Sequence, residues 1–449
     1  MLSSLKIHYV LTIIAMVMAG MSTLYESQPM TFAAVGIISA LIVLCDINIA
    51  FYTVLSTVFM WDAVRVNGVL MGFFFSFLYI CKAFMSKRNN LEKNTLSLLV
   101  FFLIIFLIND ILRCTFSQVT NDLMRLLLLF ACLKSVKIES YNHRYAVFLL
   151  ITALVITQVF ALLVTGIESM LDSNVGYYRI GEAEDDSMNT FGGAMEFPIY
   201  AIIITTTLLP FLTGKYLGKI QKVGMSLIVV ATVIMAMFAA SRVYLLGLAV
   251  MVIVLLLSYA NKGRLLLIFA VLAMVVMVAV NTDIVQLAIM RYTLRQENLS
   301  GDLSNGRQAI WTSILEFLTY NPHRLLLGCG YRGYQMIGFE NRLPFSGTAH
   351  NIVLDGLMAY GLFGLSVMVL ALRNVQRHLK RVWKTKATML SLMPFLCWFA
   401  MCMTNSAFLL YKTFVLIPFF LLHAYTIKQL MIKDNEKNTK GNSLLLVKQ

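Results

Sequence analysis

The chain has 449 residues, of which 59% are hydrophobic and 13% charged, whereas soluble globular proteins are about 45–50% apolar and roughly 25% charged. Together with a mean hydropathy of +0.79, this composition excludes a soluble enzyme and a nucleic-acid-binding module. The net charge of +14 then indicates basic cytoplasmic loops, because such loops of membrane proteins are enriched in Lys and Arg.

Apolar runs follow one another along most of the chain. A bilayer crossing needs about 20 apolar residues, and about fourteen runs approach this length. The second and third are short enough to form either one hairpin or one broken span. We therefore predict an all-α polytopic membrane protein with about 12–14 transmembrane helices, in a single integral membrane domain over residues 1–449. The runs lie near residues 8–25, 29–45, 47–62, 67–85, 96–113, 117–134, 144–168, 191–213, 224–241, 243–260, 264–282, 350–372, 387–404 and 407–429.

Basic linkers alternate along the chain and predict its orientation. The linker 373–386 carries six basic residues and no acid, and the other Lys- and Arg-rich linkers can all lie on the same side with it. The positive-inside rule places that side in the cytoplasm. Both termini are then cytoplasmic, and the polar segment 433–449 is expected to be a disordered cytoplasmic tail.

Two longer segments fall on the opposite, extracytoplasmic face. Residues 168–190 form an acidic loop, and residues 283–349 form the longest non-membrane segment. Because long loops on a rigid scaffold commonly carry function, we expect the active site in the loop 283–349.

The loop 283–349 contains arginine but no lysine. Arginine binds phosphate oxygens in a bidentate manner, which a lysine ammonium cannot do. This selection predicts a phosphate-bearing lipid substrate. The alternative for any one arginine is charge balance with the five acidic residues of the loop. The arginines are Arg291, Arg295, Arg307, Arg324, Arg332 and Arg342.

Arg307 stands at the predicted start of a helix. The segment 304–306 reads Ser-Asn-Gly, which is typical of a cap, and helical apolar spacing follows until Tyr320, before Asn321-Pro322. A cation in the first turn opposes the helix dipole. A helix N-terminus with an arginine is, however, suited to bind phosphate.

The segment 328–333, Gly-Cys-Gly-Tyr-Arg-Gly, matches a dinucleotide-binding fingerprint by its letters. It lacks the preceding strand and the following helix that such a site requires. We predict instead a flexible turn that presents Tyr331 and Arg332.

His350 is the histidine most suited to catalysis by position. With Thr348 as helix cap, it falls in the first turn of a membrane helix at the outer surface, where the helix dipole keeps the imidazole neutral. It is a candidate general base; the alternative is a structural interfacial histidine. No His, Cys or acidic cluster has metal-ligand spacing, so we expect neither metal nor cofactor.

Other charges lie within or beside the apolar runs. Arg242 stands where two runs must turn on the outer face, and it either serves function or extends toward lipid headgroups. Three acid–arginine pairs with i,i+3 spacing predict ion pairs inside the bundle. These are Asp62 with Arg65, Asp110 with Arg113, and Asp122 with Arg125.

Four segments, in this order, resemble the O-antigen ligase/polymerase superfamily of bacterial envelope enzymes. The resemblance covers roughly residues 179–372. The segments are Ser241-Arg242; Gly306-Arg307 with Trp311; Leu327-Gly-Cys-Gly330 after Asn321-Pro322; and His350-Asn351, followed after nine residues by Gly361-Leu-Phe-Gly364.

This resemblance implies a glycosyltransferase of the GT-C type in the bacterial inner membrane, without metal. Its donor would be an undecaprenyl-diphosphate-linked glycan. Arg242 and Arg307 would bind the diphosphate, and His350 would activate the acceptor hydroxyl. Further substrate contacts are expected from Arg332, Tyr331, Asn351, Arg291 and Arg179. Around Arg179 the chain departs from the family, because the usual Gly-Asn-Pro is missing and Gly192-Gly193 leads only to Phe197-Pro198.

Three functions remain open at this point. The first is an O-antigen polymerase, which joins lipid-linked repeat units and has membrane lipids and a chain-length regulator protein as expected partners. The second is the ligase, which transfers the finished chain to lipid A-core. The third, from a different class, is a lipid-linked oligosaccharide flippase, which would be expected to show an internal repeat. We favour the polymerase.

Overall fold

A computed structural model describes residues 2–60, 64–66, 69–112, 115–135, 143–165, 196–213, 217–238, 242–258, 286, 290, 307–330, 349–377, 388–404, 415–427 and 430. The regular structure within these ranges is helical, apart from one small hairpin. The helical structure and the apolar character of the helices confirm the prediction of an all-α polytopic membrane protein.

The first half of the chain forms seven helices and the hairpin. The hairpin is antiparallel and pairs Arg65 with Leu70. The elements are α1 (Leu2–Leu24), α2 (Gln28–Leu44), α3 (Ile47–Thr57), β1 (Arg65–Val66), β2 (Val69–Leu70), α4 (Met71–Met85), α5 (Lys93–Ile111), α6 (Phe116–Ser135) and α7 (His143–Thr165).

The second half contributes the helices that surround the candidate site. Helix α13 packs against α5, α11 and α12, and α14 packs against α8 and α10. The helices are α8 (Glu196–Thr213), α9 (Lys219–Phe238), α10 (Arg242–Ser258), α11 (Arg307–Tyr320), α12 (Pro322–Leu327), α13 (Ile352–Arg377) and α14 (Thr388–Cys402), followed by α15 (Val415–Ile427).

Five of the described helices, α1, α5, α7, α9 and α13, are long and apolar enough to cross a bilayer, and seven others are apolar but only 10–17 residues long. The second and third predicted runs form two separate helices, because Asp46 caps α3 by accepting the Asn48 N–H at 2.9 Å. The run 264–282, the acidic loop 168–190 and the tail 433–449 lie outside the described residues.

One of the three predicted ion pairs is observed. Arg125 Nη1 lies 3.5 Å from Asp122 Oδ1 within α6. Asp62 and Arg113 lie outside the described residues, so the other two pairs stay predictions.

Helix ends and the connections between them meet at two opposite ends of the bundle. At the first, which we call the basic end (residues 45–46, 86–92 and 134), Arg88 pairs with Asp46 at 3.2 Å, and the Asn90 N–H donates to the Lys134 carbonyl at 3.0 Å. At the second, the site end (residues 109–112, 321–330 and 349–351), the last turn of α5 meets α12 and the residues that follow it.

Helices α5 and α13 run antiparallel between these ends. Toward the basic end, the Asn374 amide donates to Thr95 Oγ1 at 2.6 Å. Toward the site end, the Tyr360 ring lies 5.5 Å from Phe106 and 6.0 Å from Phe102. A Cβ atom on Gly364 would overlap the Phe102 ring, so glycine permits the close approach of the two helices. This packing fixes the start of α13 at the site end.

Candidate active site

His350 lies in a left-handed backbone conformation, with φ of +50°. Such a conformation at a residue other than glycine costs on the order of 1–3 kcal/mol and persists only where the surroundings enforce it. Two side chains bind the peptide groups of Ala349, just before it. Asp355 Oδ1 accepts the Ala349 N–H at 2.7 Å, and Trp311 Nε1 donates to the Ala349 carbonyl at 2.7 Å. We call residues 349–351 the His350 turn.

Asn351 is the N-cap of α13. Its Oδ1 accepts the N–H groups of Val353 and Leu354 at 3.0 and 3.2 Å, and its Nδ2 donates to the Met403 carbonyl at 3.2 Å. The prediction that His350 lies in the first turn of the helix is therefore wrong. The helix begins at Ile352 because the asparagine amide satisfies two of its first N–H groups, and Thr348 lies outside the described residues.

The His350 imidazole is half-buried. Its Nδ1 is shielded from solvent and has no hydrogen-bond partner in the described part of the chain. Burial lowers the pKa of His350 below its ordinary value, and the positive charge of Arg307 lowers it further. The ring is thus kept neutral near pH 7 by burial and a neighbouring cation, whereas the sequence suggested the helix dipole.

Arg307 and Trp311 share one face of α11. The helix begins at Arg307 and ends at Tyr320, as the sequence predicted. Trp311 is four residues after Arg307, so both side chains project from the same side. Since Trp311 donates to Ala349, Arg307 is also directed toward the His350 turn, and its electrostatic effect on His350 agrees with this.

Residues Gly328–Gly330 are buried and pair with a break in α13. Gly361, with φ of +64° and ψ of 178°, interrupts the helix and frees the carbonyls of Met358 and Ala359. These accept the N–H groups of Cys329 at 2.7 Å and Gly330 at 3.1 Å. The prediction of a flexible turn is therefore wrong for these residues. Tyr331 and Arg332 lie outside the described residues.

Glycine is required where these two segments meet. A Cβ on Gly328 would lie 2.6 Å from the Ala359 carbonyl oxygen, and a Cβ on Gly361 would overlap the backbone nitrogen of Gly328. Both residues also have positive φ angles, which only glycine adopts at little energetic expense. Two of the segments that carried the family resemblance are thus one structural unit.

Helix α5 completes the site end. Arg324 Nη1 donates to Asn109 Oδ1 at 3.4 Å. Asp110 is fully buried, and its carboxylate lies against the α-carbon of Gly330. The sequence analysis treated Asp110 only as half of an ion pair and did not place it near the site.

Arg242 is the first residue of α10, and its side chain is outside what the structure describes. Gly247 in the same helix lies against Met401, whose sulfur would be 2.7 Å from a Cβ there. Met401 belongs to the last turn of α14, just before the Met403 carbonyl that binds Asn351. The α10 N-terminus and the His350 turn are therefore at the same end of the bundle.

The structure thus brings His350 and Arg307 together, with Asn351 adjacent. Arg179, Arg291, Tyr331 and Arg332 lie outside the described residues. Among the described side chains, no group of three His, Cys, Asp or Glu residues is placed to bind a metal. Sequence reasoning missed Asp355 and the role of Trp311; an acid inside an apolar span was the available signal for Asp355.

Comparison with known protein families finds one match. A family model described as O-antigen ligase matches residues 227–369, a range that extends from α9 into α13 and includes Arg242, Arg307, His350 and the paired glycines. No curated protein matches the chain. Over this segment, the chain is similar to the O-antigen ligase/polymerase superfamily.

Proposed function

We propose that this protein is a membrane glycosyltransferase and, within its superfamily, an O-antigen polymerase. It transfers a glycan from undecaprenyl diphosphate to a sugar hydroxyl of another lipid-linked repeat unit. The observation that carries the proposal is the arrangement at the site end, where a neutral, half-buried His350 lies on a strained turn beside Arg307. Perturbed titratable groups of this kind are typical of active sites.

In the proposed reaction, the acceptor hydroxyl oxygen attacks the anomeric carbon of the donor glycan. The bond from that carbon to the diphosphate oxygen breaks, and undecaprenyl diphosphate leaves with the electron pair. The acceptor proton passes to His350. Because Nδ1 is shielded from solvent, Nε2 is the nitrogen that meets the hydroxyl.

The arginines stabilise the leaving diphosphate. Arg307 and Arg242 would share the negative charge that develops on its oxygens, a task that elsewhere falls to metal ions. Arg179, Arg291, Tyr331 and Arg332 would contact the glycan or the lipid phosphates. Substrate binding by Asn351 stays a prediction, and it would require the amide to give up a cap bond or its bond to Met403.

We propose that the site end faces the periplasm and that the basic end and both termini face the cytoplasm. This rests on the Lys and Arg residues near the basic end. Two exposed positions test it, Gln308 and Asn89, each replaced by cysteine in separate variants. A membrane-impermeant maleimide applied to whole spheroplasts should label Gln308→Cys and leave Asn89→Cys unlabelled; the reverse pattern would invert the orientation.

The lipopolysaccharide banding pattern of a deletion strain tests the polymerase assignment. Loss of a polymerase leaves one repeat unit on the core, and the ladder returns when the wild-type protein is supplied. The second candidate is the ligase, because the matched family model is described as O-antigen ligase and fits both activities equally. Loss of a ligase leaves the core bare while long chains accumulate on undecaprenyl diphosphate.

A flippase is separated from both enzymes by the purified protein. In detergent with a lipid-linked repeat unit, a polymerase forms new glycosidic bonds and longer lipid-linked glycans. A flippase moves its substrate across a membrane and forms none. If a chain-length regulator is a partner, its addition should narrow the product distribution without being needed for bond formation.

A further inference from the structure

We infer that Asp355 and Trp311 are positioning residues that hold His350 in its left-handed conformation and at its place beside Arg307. This inference rests on the proposed function and names two residues of the same site to which neither the family match nor the sequence analysis gave a role.

Both polar groups of the Ala349 backbone are bound by side chains from different helices. Asp355 is in the first turn of α13 and is fully buried, with 0% of its surface exposed. Trp311 is in α11. Both hydrogen bonds measure 2.7 Å. A carboxylate in an otherwise apolar membrane helix is energetically costly and indicates function by default.

These two hydrogen bonds prevent the His350 turn from adopting a more favourable backbone conformation. Without them, residues 349–350 can relax to the extended backbone or extend α13 by two residues toward its N-terminus, because a left-handed backbone is disfavoured at histidine. Each residue added to a helix turns the chain by about 100°. The imidazole would then point away from its present direction.

The bond from Trp311 also bears on the position of Arg307. Trp311 lies one turn after Arg307 on the same face of α11, so the indole hydrogen bond also fixes the distance between that helix and the His350 turn. Displacements of about 1 Å at a reacting centre can reduce rates about 100-fold. The two residues therefore set the relation between the general base and the diphosphate-binding arginine.

Asp355 acts on the backbone and not on the imidazole. Its Oδ1 accepts from the Ala349 N–H, while His350 Nδ1 has no hydrogen-bond partner among the described residues. A carboxylate that orients a catalytic imidazole directly would bind a ring nitrogen. The hydrogen bond to Ala349 requires an acceptor oxygen at the position of Asp355, which an uncharged asparagine can also supply.

Three variants of the purified protein test this. Asp355→Asn keeps an acceptor oxygen of similar reach, Asp355→Leu removes it, and Trp311→Phe keeps a ring but removes the indole donor. Trp398→Phe is the matched control, because Trp398 lies in α14 among phenylalanine rings and is fully buried, whereas Trp311 is partly buried. Thermal unfolding in detergent identifies any variant that does not fold.

The first readout does not depend on glycan transfer. Diethyl pyrocarbonate modifies accessible neutral imidazoles, and mass spectrometry of the peptide containing His350 gives the rate. Asp355→Leu and Trp311→Phe should change this rate several-fold, while Asp355→Asn and Trp398→Phe should leave it at the wild-type value. Equal rates in all five proteins would overturn the inference, and so would a change confined to a variant that has lost its fold.

The second readout is catalysis. Asp355→Leu and Trp311→Phe should lower kcat about 10–100-fold with little change in KM, and Asp355→Asn should stay within about threefold of wild type with the same pH profile. In a His350→Ala background neither substitution should lower the residual activity further, because both act through His350. If Asp355→Asn is as impaired as Asp355→Leu, Asp355 acts through its charge and the inference is wrong. Full activity of His350→Ala would contradict the proposed function instead, while the modification rates would still decide the positioning role.

Discussion

The two ends of the bundle use the same interaction, a side chain bound to backbone, for different purposes. At the basic end, lysine side chains bind the last carbonyls of neighbouring helices, groups that have no partner inside their own helix. Lys82 binds the end of α2, and Lys134 binds the end of α4. The Nζ of Lys82 donates to Ile42 at 2.7 Å, to Val43 at 2.8 Å and to Cys45; that of Lys134 donates to Ala83 at 2.9 Å, Ser86 at 3.2 Å and Phe84 at 3.4 Å.

At the site end, the bound backbone group is not a helix end. Asp355 and Trp311 bind the peptide groups of Ala349 next to a strained histidine, and the N–H groups of Cys329 and Gly330 bind carbonyls freed by a helix break. The comparison shows that charges at the basic end stabilise helix ends, whereas polar groups at the site end maintain an unfavourable geometry. Substitution of these polar side chains should therefore affect stability at the basic end and activity at the site end.

The largest effect is expected from His350→Ala. A general base contributes about 10²–10⁴-fold, so this variant should be folded, normally abundant and nearly inactive, with a single repeat unit on the lipopolysaccharide core if the protein is the polymerase. The control is His323→Ala, since His323 is exposed on α12 at the same end. A normal ladder of chain lengths in the His350→Ala strain would end the catalytic assignment.

The next largest effect is expected from Arg307→Lys and Arg242→Lys. Lysine keeps the charge but not the bidentate geometry, and a hydrogen bond to a charged group contributes about 1.5–3 kcal/mol, so the transfer rate should fall about 10–100-fold. Arg88→Lys at the basic end should stay near wild type, because Arg88 forms an exposed ion pair with Asp46. Transfer assays on equal amounts of membrane protein measure all three. If both site-end variants have wild-type transfer rates, Arg307 and Arg242 do not bind the donor diphosphate and only contact lipid headgroups.

Gly361→Ala should reduce stability by about 2–3 kcal/mol or more, because it places a Cβ in a backbone region nearly exclusive to glycine and against Gly328. Gly36 lies within α2 with no atom near a built Cβ, so Gly36→Ala should be neutral or stabilising by up to about 1 kcal/mol. Thermal unfolding in detergent and membrane abundance compare the two. Equal stabilities would show that the break in α13 is not constrained.

Lys82→Met should lower stability by about 1–2 kcal/mol, since it leaves the end of α2 without its donor. Its transfer rate per folded molecule should be unchanged. Lys219→Met, at an exposed lysine at the start of α9, serves as the control for loss of charge. A fall in the specific rate of Lys82→Met without a fall in melting temperature would contradict the division between the two ends.

The smallest effect is a shift of the pH profile. His350 must be neutral to accept a proton, so activity is lost as the pH falls through its pKa, which burial and Arg307 lower below 6.5. Arg307→Gln removes one of these causes and should move the acidic limb of kcat/KM to higher pH, although activity is reduced. Arg324→Gln should leave the limb in place. If the acidic limb of the Arg307→Gln profile stays at the wild-type pH, the charge of Arg307 does not influence the pKa of His350.

Features set by neighbouring residues could be predicted from the sequence. Helix α11 begins at Arg307 and ends at Tyr320 because a Ser-Asn-Gly cap and an Asn-Pro pair are local signals. The i,i+3 ion pair of Asp122 and Arg125 was found for the same reason. Both follow from the regular geometry of one helix.

Features set by distant residues could not be predicted. The sequence offered Thr348 as a cap for α13, but Asn351 is fixed there by the Met403 carbonyl, 52 residues later. The segment Gly328–Gly330 was predicted to be a flexible turn. The carbonyls that bind it lie beside the helix break at Gly361, too far along the chain to be recognised from the sequence. Hydrogen bonds between such segments leave no periodic pattern, so the left-handed backbone of His350 was also beyond sequence analysis.

The break at Gly361 has a mechanical consequence. It separates the outer turns of α13, which carry Asp355, from the longer part of the helix, and both parts pack on α5, through Tyr360 and Gly364. Transmembrane helices adjust to bilayer thickness by tilting, and a continuous helix would transmit that tilt to His350. Because the carbonyls of Met358 and Ala359 in the outer turns accept hydrogen bonds from Cys329 and Gly330 instead of from the next helical turn, we expect a tilt of the longer part to be taken up at the glycine. The reacting groups should therefore keep their geometry in membranes of different lipid composition.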